Sequence, residues 1–127
     1  MFVVEKFTKN IVLTRGDSAE LVVSLIDNLG IPYEMASDDC LTFSMAKEVG
    51  GEVLLRKNVI GTNKFAFVPS DTSNLPFGKY VYDIQLTTNS GEVYTVISPN
   101  NFVVGEEVTA EWHLTELLPK VEWLKEI

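Results

Sequence analysis

The fold is decided by one stretch of the sequence, Pro69-Ser-Asp-Thr-Ser-Asn-Leu-Pro-Phe-Gly-Lys-Tyr-Val-Tyr-Asp-Ile-Gln-Leu86. Its polar first half leads through Leu75 and Gly78 into a segment whose first inward residue is Tyr80. From there apolar and aromatic residues recur at every second position, which is the period of a β-strand with one buried face. The stretch therefore predicts a corner followed by a long, half-buried strand.

Tyr80 and Tyr82 have the spacing of a corner that is found in immunoglobulin-like sandwiches. In these folds the chain crosses there between two sheets, and a tyrosine donates a hydrogen bond back to the loop. The ring fills the edge of the core, while the hydroxyl satisfies a backbone group that the corner leaves unpaired. Tyr82 stands where antibody domains place their second cysteine. Leu75, Gly78, Tyr80 and Tyr82 are therefore the predicted signature of the fold.

Period-two alternation extends from the start of the chain to about residue 104. Glycine- and asparagine-rich turn signals, such as Arg15-Gly16-Asp17-Ser18 and Asn89-Ser90-Gly91, separate the alternating segments. These segments predict seven to nine strands, near residues 2–7, 10–14, 19–26, 41–47, 53–60, 64–68, 79–88, 92–98 and 101–104. We therefore predict an all-β protein with an immunoglobulin-like antiparallel β-sandwich over residues 1–108, although strand number alone also allows a small barrel.

Residues 109–127 have a different pattern, with apolar residues at spacings of three and four. This spacing predicts a short C-terminal α-helical segment, which Pro119 would kink or divide into two. Its apolar stripe either docks on its own sandwich, packs against neighbouring subunits as an assembly interface, or stays disordered. The predicted interface residues are Trp112, Leu114, Leu117, Leu118, Val121, Trp123 and Leu124.

Composition and charge restrict the class of protein. The 127 residues fit one domain, and 46% of them are hydrophobic, which is ample for a core. The net charge of −8 argues against nucleic acid and anionic membranes as partners. No apolar run has the length of a membrane span and no signal peptide is evident, so we expect synthesis in the cytoplasm.

No catalytic, cofactor or metal site is predicted. The only histidine, His113, lies far along the sequence from the only cysteine, Cys40, so a cysteine–histidine nucleophile is not expected. Asp38-Asp39 lacks the ligand spacing of a calcium loop, and His113 with Glu116 gives too few ligands for zinc. Motifs for a serine nucleophile or a phosphate-binding glycine loop are also missing. The sequence favours a non-enzymatic protein.

Several short motifs occur in succession over about residues 8 to 108. They are Ile11-Val-Leu-Thr-Arg-Gly-Asp-Ser18, Asp27, Gly30-x-Pro32-Tyr33, Leu41-Thr-Phe-Ser-Met-Ala-Lys47, Asp71-Thr72, Leu75-Pro76-x-Gly78-x-Tyr80, Tyr82-Asp83-Ile84 and Gly91-Glu92-Val93-Tyr94. In order and spacing they resemble the N-terminal domains of phage upper baseplate proteins. The resemblance implies an immunoglobulin-type sandwich in the tail or baseplate of phages that infect low-GC Gram-positive bacteria. Such domains commonly precede a helical linker and distal fibre or receptor-binding parts, whereas here only residues 109–127 come after the motifs.

The function expected from this resemblance is that of a structural component of a virion, assembled in the host bacterial cytoplasm. Its partners would be other virion proteins, with homo-oligomer formation through the C-terminal helix. The alternative is a carbohydrate-binding or cell-surface adhesion module, because tyrosine and tryptophan rings on a sheet face can stack on sugars.

Overall fold

A computed structural model describes residues 2–4, 9–27, 29–106 and 120–126 of the chain. Within these residues the protein is all-β apart from one short helix, which confirms the predicted fold class. The elements are β1 (Phe2–Val4), β2 (Ile11–Thr14), β3 (Ala19–Ile26), β4 (Cys40–Ala46), β5 (Val53–Ile60), β6 (Lys64–Phe67), α1 (Pro69–Thr72), β7 (Gly78–Thr87), β8 (Val93–Gly105) and β9 (Lys120–Glu126).

The strands form two sheets. The six-stranded sheet has the order β1-β2-β8-β7-β4-β5, and the three-stranded sheet has the order β6-β3-β9. Strands β4 and β7 pair antiparallel along the whole length of β4, from Cys40 opposite Thr87 to Ala46 opposite Val81. The two segments predicted near 92–98 and 101–104 are one continuous strand, β8, with register irregularities opposite Tyr82 to Gln85.

One core lies between the two sheets, and aromatic rings fill its centre. Phe43 of β4 is fully buried, and its ring centroid lies 5.2 Å from that of Phe67 and 6.1 Å from that of Phe65 on the opposite sheet. On its own sheet the same ring lies 5.3 Å from Tyr82 and 6.0 Å from Phe102. The alternation of the strands therefore places large apolar side chains from both sheets in a single cluster.

The sheets are mixed, whereas the sequence predicted an antiparallel sandwich. Strand β2 runs parallel to β8, with Ile11 opposite Phe102, and β3 runs parallel to β9, with Leu21 opposite Val121. Parallel neighbours need a long connection between them, and β2 and β8 are separated by most of the chain. Alternation indicates which face of a strand is buried but carries no information on strand direction, so this part of the prediction was wrong.

The C-terminal segment also differs from the prediction. Lys120–Glu126 is strand β9 and not part of a helix, while residues 107–119 lie outside the described residues. Seven residues are too few for a stable isolated helix, whereas β9 hydrogen-bonds along β3 from Glu20 to Ile26. The pairing supplies backbone partners that a short helix at this position would lack.

Candidate functional site

The corner before β7 contains the predicted fold signature. The hydroxyl of Tyr80 donates a hydrogen bond to the carbonyl oxygen of Pro76, at 2.6 Å, as expected from the sequence. The ring is 2% exposed and lies under the ammonium group of Lys47, at 4.7 Å from the ring centroid. Gly78 has a φ of 141°, a conformation that side-chain-bearing residues rarely adopt, and it opens the strand. The corner fixes where β7 enters the six-stranded sheet.

Helix α1 forms the base of this corner and was missed by the sequence reasoning. Pro69 starts the helix, and the carboxylate of Asp71 accepts a hydrogen bond from the backbone N–H of Val68, at 2.8 Å. The buried hydroxyl of Thr72 accepts one from the N–H of Gly16, at 2.9 Å. Four residues are too few for a helical period, so only the proline and the aspartate three positions after Val68 could have indicated the helix.

Removing the corner hydroxyl should destabilise the fold without disturbing its packing. We expect Tyr80→Phe to lower the free energy of unfolding by about 1 kcal/mol, because the carbonyl of Pro76 loses its partner at the edge of the core. Urea denaturation followed by circular dichroism measures the difference. Tyr94→Phe is the matched control, since the Tyr94 ring is 40% exposed and its hydroxyl donates to the exposed Glu92. Equal losses in the two variants would contradict a structural role for the corner bond.

Tyr82, the other predicted signature tyrosine, belongs to the core. Its ring stacks on Phe43 with an interplanar angle of 21°, and its hydroxyl donates to the carbonyl oxygen of Lys9. Burial raises the pKa of this phenol above its usual value. Leu75 is partly buried and packs against the same core. The four signature residues therefore stabilise the fold and present no binding group to solvent.

The outer face of the six-stranded sheet carries an open groove of about 290 Å³, which we call the outer groove. Arg56, Ser44 and Asp83 lie side by side in it, because Ser44 is opposite Arg56 on one neighbouring strand and opposite Asp83 on the other. The Nε of Arg56 donates to the Oγ of Ser44, at 3.2 Å. The sequence reasoning did not find this row, because its members are distant along the chain and occupy polar phases of their strands.

Asp83 is a partly buried titratable group in the lining of the outer groove. Burial raises the pKa of its carboxyl group, and the nearby positive charge of Arg56 acts in the opposite direction. A carboxylate beside a guanidinium can bind polar side chains or hydroxyl groups. The only aromatic residue in the described lining is Tyr82, which is 1% exposed, so the groove offers no open ring on which a sugar could stack.

Neutralising Asp83 should stabilise the protein in a pH-dependent way. A pKa that is raised on folding means that the folded state binds the proton more tightly, so this group lowers stability as the pH rises through its titration. We expect Asp83→Asn to gain stability relative to the wild type at pH 7, and to lose that advantage at pH values below about 4. Urea unfolding at several pH values measures this, with Glu34→Gln, an exposed loop carboxylate, as the control. A gain that does not change with pH would contradict the assignment.

A second cavity, of about 310 Å³, lies at another part of the fold, beside the loop that precedes β4. The hydroxyl of Tyr33 donates to the Oδ2 of Asp39, at 2.7 Å, and this hydrogen bond is the main reason that the pKa of Tyr33 is raised to about 12. Asp39 is 2% exposed and also accepts the backbone N–H of Ala36, at 2.9 Å. The carboxylate thus holds the loop together through two hydrogen bonds to its Oδ2.

The surface best suited to contact another protein is β5, which ends the six-stranded sheet. Within the described residues β5 pairs with β4 alone, so its other side is an open edge. Leu54 is 43% exposed and Ile60 is 67% exposed. Exposed apolar side chains on an unprotected edge are the usual features of a strand that pairs with another chain. We call Val53–Ile60 the open edge.

The predicted C-terminal interface is only partly described. Trp112, Leu114, Leu117 and Leu118 lie outside the described residues. Val121, Trp123 and Leu124 are in β9, opposite Leu21, Val23 and Ser24 of β3. A truncation after residue 108 would therefore remove a strand of the second sheet, and a change in mass would not by itself identify an assembly interface.

Metal ligands and membrane-spanning helices are two other features that could indicate a function. No group of three or more histidine, cysteine, aspartate or glutamate side chains is placed to hold a metal ion among the described residues. In the same part of the chain, no helix is long and apolar enough to cross a membrane.

Comparisons of the chain with models of protein families, with curated proteins and with solved structures found no match.

Proposed function

We propose that the protein is a non-enzymatic structural module of a bacteriophage tail or baseplate, in which an immunoglobulin-type sandwich acts as a spacer and binds other virion proteins. The observation that carries the proposal is the open edge, a strand of eight residues with exposed apolar side chains and one free side among the described residues. Such an edge is a binding surface for another chain. The placement in a phage rests on the sequence resemblance over residues 8 to 108.

The arrangement of the strands supports an immunoglobulin-type sandwich as the form of this module. The order β8-β7-β4-β5 is that of the G, F, C and C′ strands, and the pairing of β3 with β6 is that of strands B and E. The hydrogen bond from Tyr80 to Pro76 closes the corner before the strand that corresponds to F. β9 departs from this arrangement, since it runs parallel to β3 where a sandwich of this type has its first strand.

Analysis of purified particles tests the phage assignment. Particles from a lysogen that carries the gene are banded on a density gradient, and their peptides are identified by mass spectrometry. We expect peptides of this protein to band with the particles, and we expect a deletion of the gene to give particles with incomplete tails in negative-stain images. Absence of the protein from intact, infectious particles would reject the proposal.

The outer groove supports the second candidate, a carbohydrate-binding module, because Arg56, Asp83 and Gln85 can hydrogen-bond to sugar hydroxyl groups. The test is a calorimetric titration of the whole protein with host cell-wall polysaccharide, using Arg56→Ala as the variant. Saturable binding that Arg56→Ala abolishes would favour this function over the structural one. Binding that the variant leaves unchanged would exclude the groove as the site.

A further inference from the structure

The backbone groups on the open edge can be assigned from the register of β5. Gly61 donates its N–H to the carbonyl oxygen of Asp39, at 2.8 Å, and this pair continues the β4–β5 register in which Ile60 lies opposite Cys40. In an antiparallel ladder, alternate residues bond to the same neighbour. The odd-numbered residues of β5 therefore face β4. In the regular part of the ladder the N–H and C=O groups of Arg56, Asn58 and Ile60 therefore point outward. The register shifts between Met45 and Ala46, so the alternation ends before Leu54, which has no partner on β4.

The polar side chains of β5 do not block this edge. Arg56 is hydrogen-bonded back to Ser44 of β4 at 3.2 Å, and the Oδ1 of Asn58 accepts a hydrogen bond from the hydroxyl of Thr42 at 2.7 Å. The ammonium group of Lys57 forms a salt bridge with Asp71 at 2.8 Å. Charged residues commonly protect edge strands from pairing, but here each one is held by a group of its own chain. No strand in the described part of the chain pairs with the outward backbone groups.

The sequence of β5 is complementary to itself in one antiparallel register. With a two-fold axis at Lys57, Leu54 lies opposite Ile60 of the second copy, and Arg56 lies opposite Asn58 of the second copy. The Arg56–Asn58 pair joins outward-facing backbone groups on each side of the axis, so the hydrogen bonds of these two residues are satisfied, while Leu54 and Ile60 form an apolar side-chain pair. Leu55 and Val59, which are partly buried, meet on the inner face. The two Lys57 side chains approach each other, but each carries its Asp71 partner.

Other registers are less favourable. A shift of the pairing by one residue places side chains of the outer sheet face opposite side chains of the inner face. Directly opposite residues in a pleated sheet point to the same face, so this register is excluded. A shift of the axis to Arg56 places two arginines directly opposite each other. Like charges in that position are destabilising, and Arg56 is hydrogen-bonded to the uncharged hydroxyl of Ser44, whereas Lys57 has a carboxylate partner in Asp71. A shift of the axis to Asn58 shortens the ladder and places Arg56 opposite Ile60. The register centred on Lys57 is the one that pairs apolar with apolar and polar with polar residues.

We propose that the open edge binds the open edge of a second copy of this chain, antiparallel and across a two-fold axis, so that two six-stranded sheets become one continuous sheet. The interface is isologous, since the same residues contribute from both copies. An edge pairing of this length buries less surface than the roughly 1,200 Å² of a standard interface, so the dimer is of moderate affinity and depends on protein concentration. Self-association of this kind does not depend on the virion assignment.

Charge variants at the facing pair test the register. The whole chain is studied by sedimentation equilibrium over a concentration series. We expect Leu54→Lys to raise the dimer Kd by about tenfold, since the facing pair occurs twice by symmetry. The double variant Leu54→Lys with Ile60→Lys places like charges opposite each other and should dimerise least. The double variant Leu54→Lys with Ile60→Glu places opposite charges across the same pair and should restore much of the affinity.

Two further variants distinguish the loss of edge pairing from the effect of changing any exposed strand residue. Asn58→Pro removes an outward N–H without removing a backbone hydrogen bond to β4. It also removes the exposed side-chain hydrogen bond from Thr42, which costs the monomer little, so the dimer should weaken while the monomer stays folded. Val93→Lys is the matched control, because Val93 is a strand residue of the same sheet with 56% exposure but lies away from β5. Circular dichroism of each variant verifies the fold of the monomer.

The proposed dimer is rejected if the protein is monomeric throughout the concentration series. A dimer whose Kd is the same in the wild type, the Leu54→Lys variant and the Asn58→Pro variant also rejects it, because association then uses another surface. These outcomes are distinct from those of the particle analysis. If the protein is found in particles but is monomeric in solution, the proposed function stands and the dimer is rejected. If it dimerises in solution but is absent from particles, the dimer stands and the proposed function is rejected.

Discussion

Replacement of Phe43 by alanine should cost the protein about 3–5 kcal/mol of its free energy of unfolding. Phe43 is fully buried, and its ring contacts aromatic rings of both sheets, with centroid distances of 5.2 to 6.1 Å. The alanine leaves a cavity between the two sheets that the neighbouring rings cannot fill without leaving their own contacts. Since a domain of this size is stable by about 5–15 kcal/mol, the loss is a large part of the total. Urea denaturation, followed by circular dichroism, measures it.

Phe77→Ala is the control for Phe43→Ala, because it removes the same ring from the surface. Phe77 is 40% exposed and contacts the guanidinium of Arg15, whose carbon lies 3.9 Å from the ring centroid. We expect this variant to lose about 1 kcal/mol. If Phe43→Ala does not fold, Phe43→Leu replaces it, with an expected loss between those of the other two variants. A Phe43→Leu loss no larger than that of Phe77→Ala would contradict a central position for Phe43.

The positions of the strands could be predicted because they depend on local pattern. In β4 and β7, residues such as Phe43 and Tyr82 alternate with polar residues, and burial in the structure alternates in the same phase. The corner at Tyr80 was also predictable, since glycine, tyrosine and the preceding polar turn are close together in the sequence. In each of these cases the determining residues lie within a few positions of one another.

The arrangement of the strands within the sheets could not be predicted in this way. The row of Arg56, Ser44 and Asp83 exists because three strands that are distant in sequence become neighbours. The open edge likewise depends on the position of β5 at the end of its sheet, while the alternation from Leu54 to Ile60 is that of any half-buried strand. β9 was predicted as helix because seven residues can satisfy both periods, and its pairing with β3 decided between them.

The open edge and the core contribute to different properties of the molecule. Core residues such as Phe43 determine whether the two sheets form at all, whereas Leu54 and Ile60 contribute less to the monomer because they are 43% and 67% exposed. A variant of the open edge can therefore change association while leaving stability nearly unchanged, which allows the two properties to be measured separately. Substitution of Gly61, the residue directly after β5, is expected to change both stability and association.

Gly61→Ala should destabilise the protein more than a glycine substitution with the same backbone conformation elsewhere. Gly61 has a φ of 69°, in the left-handed region, and an added Cβ would lie 2.8 Å from the carbonyl oxygen of Ser37. Because the obstacle is backbone, Ser37 must move, and the hydrogen bond from Gly61 to Asp39 moves with it. We expect the steric conflict to add at least about 1 kcal/mol to the roughly 1–2 kcal/mol that a left-handed alanine costs.

Gly30→Ala is the matched control for this prediction. Its φ of 79° is similar, but nothing lies within 4 Å of the added Cβ, so only the conformational cost remains. The difference between the two variants in urea denaturation then isolates the contact with Ser37. Because Gly61 comes directly after Ile60, its displacement should also weaken the dimer, whereas Gly30→Ala should leave the dimer Kd unchanged. Equal stability losses in the two variants would show that the loop before β4 yields freely, and that the approach of Ser37 to Gly61 does not fix the end of the open edge.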